Sequence, residues 1–67
     1  MSTRKLARLR RELKRCGITH AMVAAAVPVT PSHVSHVLAG RFTSRPVLDA
    51  AARLLAEAEA LVAAAAS

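Results

Sequence analysis

Aromatic side chains are almost missing from this chain: among 67 residues there is one phenylalanine and no tyrosine or tryptophan. Proteins that stack single-stranded nucleic acid or unpaired RNA bases need several aromatic platforms, so that class is disfavoured. The single cysteine, Cys16, leaves no intrachain disulfide and no single-chain cysteine zinc site. Uninterrupted apolar runs stay far below the ~20 residues of a transmembrane helix. Basic residues near the start are not followed by an apolar stretch, so the N-terminus does not read as a secretory signal. A reduced, intracellular compartment is the expectation.

Acidic residues are also scarce, four against ten Lys and Arg, giving a formal net charge of +6. Their distribution says more than their number. Residues 1–45 hold nine basic and one acidic side chain, a net +8, whereas residues 46–67 hold one basic and three acidic, a net −2. One half is suited to face a polyanion and the other is suited to something else. Basic charge alone also fits an anionic membrane surface. The length allows one domain, with a core near the lower size limit for independent folding.

Helical spacing runs through almost the whole chain. Residues 3–16 read as a first helix, with Thr3 as N-cap and Gly17 as the left-handed residue after its end. Leu6, Leu9, Leu13 and Cys16 recur at spacings of three and four and form its apolar stripe. Arg4, Arg8, Arg11 and Arg15 lie opposite, most of them as a solvated cationic face. Thr19 can cap a second helix ending near Ala26, with Val23, Ala24 and Val27 on one face. Thr30 can cap a third, with Pro31 at the first helical position, where a missing N–H costs nothing. Val34, Val37 and Leu38 form its apolar face, and Gly40 closes it. Neither short helix is stable alone, so each must pack. Ala24 is small where the two would cross.

The stretch from Ile18 to Arg41 resembles a helix-turn-helix of the lambda repressor/Cro-like superfamily. Ile18 and Thr19 open the first motif helix, Ala24 holds the small inner position, and Val29 and Thr30 fall in the turn. Val34 and Ser35, with Leu38, Ala39 and Gly40, match the end of the recognition helix. Counting the flanking helices, the likeness covers roughly residues 4–62. The run Val34-Ser35-His36-Val37-Leu38 is also similar to the recognition helix of lactose-repressor-type regulators, although those begin with the motif itself. Pro28 departs from the family's usual glycine, and His20 stands where many relatives carry glutamine. The resemblance implies an all-α domain of four helices, lambda-repressor-like, that binds double-stranded DNA.

Residue roles follow from position and chemistry. Ser32 and His36, four apart on one face of the third helix, are the expected base readers. Pro31 adds an apolar contact there. His33 and Ser35 flank that face as phosphate contacts. In relatives the start of the first helix lies near the DNA backbone, which brings in Arg4 and Lys5, and the position of His20 contacts phosphate. Arg41, Thr43 and Arg45 lie in a loop whose two arginines and two hydroxyls are a phosphate-binding composition. Phe42, between them, is expected to plug the core, and Met22 to pack rather than function.

The last helix is expected over about residues 46–65, with Ser44 as its cap, Asp49 pairing with Arg53, and the end from Ala63 frayed. Val47, Leu48, Ala51, Leu54, Leu55, Ala58, Leu61 and Val62 make its stripe. At 1.5 Å per residue it spans roughly 30 Å, more than a small core can cover. Val47 to Leu54 would close the core, leaving Leu55, Leu61 and Val62 exposed; with Ala58 these form an expected homodimer surface.

The sequence therefore points to a cytoplasmic, nucleoid-associated, homodimeric repressor of bacterial or phage type. No enzymatic activity, cofactor, metal, small-molecule ligand or membrane is expected. A metal held by His33 and His36, with His20 and Cys16, would need three or four converging ligands. Two readings of other classes stand beside this one: an antitoxin-like interaction module and a cationic membrane-surface protein. The capped turn speaks against the latter, since lipid binding needs no such turn.

Overall fold

The computed structural model describes residues 3–66, with the side chain of Thr3 excluded, so the expected Thr3 cap and the fate of Ser67 lie outside the described residues. Four helices follow one another: α1 (Thr3–Arg15), α2 (His20–Ala26), α3 (Pro31–Leu38) and α4 (Arg45–Ala66). No strand occurs among the described residues.

Each boundary has a local cause. After α1, Gly17 takes φ +73°, a conformation that costs a glycine little. Its N–H bonds the Lys14 carbonyl at 3.1 Å, and the Ile18 N–H bonds Leu13 at 2.8 Å. That pairing is a Schellman closure, and it folds Ile18 onto Leu13 inside the core. Thr19 caps α2 by accepting from the Met22 N–H at 3.2 Å. The Met22 sulfur accepts in return from the Thr19 N–H at 3.5 Å, completing a reciprocal capping box. Met22 is thus a cap partner, 46% exposed, where packing was expected.

The turn between α2 and α3 contains no positive φ, consistent with Pro28 in place of the family's glycine. Instead Val27 leaves the helix in extended geometry, Pro28 and Val29 turn, and the Val29 N–H reaches back to the carbonyls of Ala24, at 3.4 Å, and Val27. Thr30 then accepts from the His33 N–H at 3.2 Å, with Pro31 at the start of α3. The two helices cross at 108°.

The core sits where all four helices meet. Val23, Val34, Val47, Ala50 and Ala51 are fully buried, with Val37 and Leu38 at 1%. Ala24, at 4%, lies in the α2–α3 crossing, where a small residue was expected. Leu13 and Ile18 join from the α1 side, and Leu9 and Cys16 are half-buried at its margin.

Helix α4 departs from expectation in three ways. It continues to Ala66, past the point where fraying was expected, because alanine is the best helix former. Leu55, expected to be exposed, is half-buried against the core, as is Ala58. Asp49 and Arg53 form no ion pair with each other; among the described residues the ion pairs join Arg15 to Glu12 and, at 4.0 Å, to Glu59. The second of these ties the end of α1 to the far part of α4. Ser44 precedes α4 and accepts the Leu48 N–H at its carbonyl, 3.1 Å. No single described helix is long and apolar enough to cross a membrane.

Candidate nucleic-acid interface

Helix α3 turns Val34, Val37 and Leu38 inward, so its remaining positions form the outer face. Pro31, Ser32 and Ser35 are exposed there. His33 and His36 are only half-exposed, because Phe42 covers both. The Phe42 ring stacks on His33 with centroids 6.1 Å apart and planes at 17°. It meets His36 edge-on at 5.5 Å and 67°. Phe42 is 54% exposed and belongs to this surface, which corrects its expected place in the core. The cause is local: the core is already filled by aliphatic residues, and Gly40 at φ +84° turns the chain back along α3.

That turn is a second Schellman closure. The Gly40 N–H bonds Val37 at 3.1 Å, and the Arg41 N–H bonds the His36 carbonyl at 3.0 Å. Such closures bring together the side chains of the residue after the glycine and the residue four before the glycine. Here those are Arg41 and His36, and Arg41 Nη1 lies 3.3 Å from His36 Nδ1. A substitution at Gly40 would strain φ and would also bring a Cβ to 3.4 Å from Leu6 Cδ1.

From Arg41 the loop leads to a second group of expected residues. Thr43 and Arg45 line an open hollow of about 350 Å³ together with Lys5, Leu48 and Asp49. The start of α1 and the loop after α3 are therefore neighbours, as the expected backbone contacts require. Asp49 was not foreseen in this group, and its carboxylate offsets part of the positive charge. Arg4 is exposed on the same turn of α1 as Lys5.

His20 stands elsewhere, as the exposed first residue of α2. It lines a different open hollow, about 610 Å³, with Arg10, Lys14, Thr19 and the end of α1. Arg10 and Lys14 thus place two cations beside His20, a grouping that helical spacing alone did not single out, because the turn at Gly17 lies between them. At the opposite end, Leu61 and Val62 are 72% and 67% exposed, beside Arg15, Cys16 and Glu59. The Arg15 guanidinium is held above its ordinary pKa by its hydrogen bond to the Glu12 carboxylate and by that group's charge. Among the described residues no three or more His, Cys, Asp or Glu converge.

The order of elements, the capped turn, the crossing of α2 and α3 and the outer face of α3 together define a helix-turn-helix with one helix before it and one after. A family model described as "Helix-turn-helix domain" matches residues 3–65. No curated protein and no solved structure matches the chain significantly. With nearly its whole length matched, the chain belongs to this lambda-repressor-like family of helix-turn-helix DNA-binding domains, which are typically non-enzymatic.

Proposed function

We propose that the chain is a transcriptional repressor that binds a symmetric double-stranded operator as a homodimer. The observation that carries this reading is the continuity of one surface. Ser32 and His36 share the outer face of α3, His36 meets Arg41, and the same loop reaches Thr43, Arg45 and Lys5. A helix with exposed hydroxyl and half-exposed imidazole groups, bordered by cations, fits a major groove flanked by phosphates.

In this reading Ser32 and His36 read bases, and Pro31 offers apolar contact to a thymine methyl. Arg4, Lys5, Ser35, Arg41, Thr43 and Arg45 meet phosphate on one side, and His20 on the other. His33, stacked on Phe42, meets phosphate at the edge of the face. One motif reads only a few base pairs, so a second copy is needed to read a half-site about one helical turn, ~34 Å, away. Leu61 and Val62 offer the apolar surface for that copy, with Leu55 and Ala58 at its inner margin. Self-pairing of one patch about a two-fold axis is the usual form of a homodimer.

Selection of bound sites from random duplexes tests the reading. A symmetric repeated half-site is expected. A single asymmetric site would remove the homodimer, and recovery of no preferred sequence would remove specific binding.

A further inference from the structure

The contact between Arg41 and His36 constrains where the imidazole proton lies. A guanidinium has five N–H donors and no acceptor, and it stays protonated in proteins. At 3.3 Å from Arg41 Nη1, His36 Nδ1 can therefore take part only as an acceptor. An imidazole whose Nδ1 accepts is neutral and carries its proton on Nε2. The ring is further held by the Phe42 edge contact at 5.5 Å, and Arg41 itself by its backbone bond to the His36 carbonyl at 3.0 Å. Phe42 in turn stacks on His33.

We propose that His36 reads guanine as a neutral hydrogen-bond donor through Nε2–H, and that Phe42 is a positioning residue that sets this preference without touching the base. This rests on the placement of His36 in base readout. In the major groove guanine presents two adjacent acceptors, N7 and O6, whereas adenine sets an amino donor beside its N7. A fixed donor therefore favours guanine over adenine, and guanine's two acceptors over the single O4 acceptor of thymine. Without the Phe42 contact the ring is free to rotate about its side-chain bonds and away from Arg41, whose contact holds the tautomer. It could then present Nδ1 or Nε2, as donor or acceptor, and the preference would dissolve although every DNA-contacting group is still in place.

The test compares site selection by the wild-type protein with His36→Ala, Phe42→Ala, Phe42→Leu and Phe42→Tyr, alongside imidazole ¹⁵N spectra at pH 8. The wild type is expected to select a guanine at one position in each half-site, and 7-deazaguanine there should weaken binding. Phe42→Ala should lower that single preference roughly 10-fold, leave the other positions unchanged and keep the melting temperature, since Phe42 is half out of the surface. Phe42→Leu keeps apolar bulk but not the ring, and should behave like Phe42→Ala; Phe42→Tyr should retain the preference. The spectra should show one Nε2–H tautomer in the wild type and a mixture in Arg41→Ala. If His36→Ala selects the same guanine, the readout role of His36 fails and the proposal with it. If His36→Ala loses the guanine while both Phe42→Ala and Phe42→Leu keep it, only the positioning role is overturned. An Nδ1–H tautomer in the wild type overturns the assignment of the donor.

Discussion

Two surfaces of this small domain are left uncovered by its own core, and they differ in kind. The outer face of α3 with the loop after it is polar and cationic: Ser32, Ser35, the two half-covered histidines, Arg41 and Arg45. The far end of α4 is apolar, with Leu61 and Val62 projecting beside Glu59 and Arg15. Both spring from one core in which Val34 and Val47 are fully buried. The first surface gains nothing from burial against an apolar body, and the second gains nothing from a polyanion. One domain thus carries two surfaces of opposite chemistry, as the proposed dimer on DNA would require. Separate substitutions should be able to damage one surface while sparing the other.

The largest effect should come where both surfaces share support. Val47→Asp places an unpaired carboxylate at a position with no exposure, where α4 meets the other helices. A cost of roughly 3–5 kcal/mol is expected, from buried charge and lost packing together. For a domain of this size that is enough to cancel the stability. Thermal unfolding by circular dichroism should show the helices melted at 25 °C, with DNA binding and self-association lost together. Retention of either property would mean that the two surfaces do not depend on a common core.

Next in size is the apolar surface. Leu61→Glu touches a residue 72% exposed, so the isolated fold should be spared. In the homodimer reading it should give a monomer at micromolar concentration by sedimentation. The melting temperature of the wild type, but not of the variant, should then rise with protein concentration. Losing the second half-site should weaken operator binding by roughly 100-fold or more. Ending the chain at Ala56 is a poorer test, because it also removes half-buried Ala58 and the Glu59–Arg15 pair. A wild-type monomer with full operator affinity would strike α4 from any role in assembly.

On the polar surface, His36→Ala should weaken specific binding by ~1–3 kcal/mol while non-specific binding stays nearly intact. Equal losses on operator and on random duplex, measured by titration at one salt concentration, would move His36 from bases to backbone.

The polar surface was only partly legible in the sequence, and the reason is physical. Caps and closures are local devices, so Thr19, Thr30, Pro31, Gly17 and Gly40 could each be read from neighbours within a few positions, and all five act as expected. Inward-facing Val34, Val37 and Leu38 followed from helical spacing for the same reason. Phe42 could not be placed this way. A lone aromatic in a polar loop reads as core, and its true position depends on Gly40 turning the loop back along α3. The helical period along α4 is visible, but the depth of the core is not, so Leu55 is expected to stand further out than it does. The Met22 sulfur as acceptor and the Arg15–Glu59 pair carry no signal in spacing: one uses an unusual capping group, and the other joins residues remote in the chain.

The smallest effect separates the two arginines of the loop. Arg45 lines the hollow with Lys5 and Thr43 and lies at the start of α4, away from the His36 contact. Arg41 both borders the groove face and lies against His36 Nδ1. If each neutralises one phosphate, each Arg→Ala variant releases about one fewer condensed counterion, and the slope of log affinity against log salt should fall by ~1 in both. Only Arg41→Ala should also blunt the sequence preference, because it frees the imidazole that the guanidinium holds. Titration of operator and random duplex across a salt series reads both quantities at once. Were the salt slope unchanged in both variants, neither arginine would touch phosphate. Were Arg45→Ala to blunt the sequence preference as strongly as Arg41→Ala does, the Arg41–His36 contact would not be what orients the imidazole.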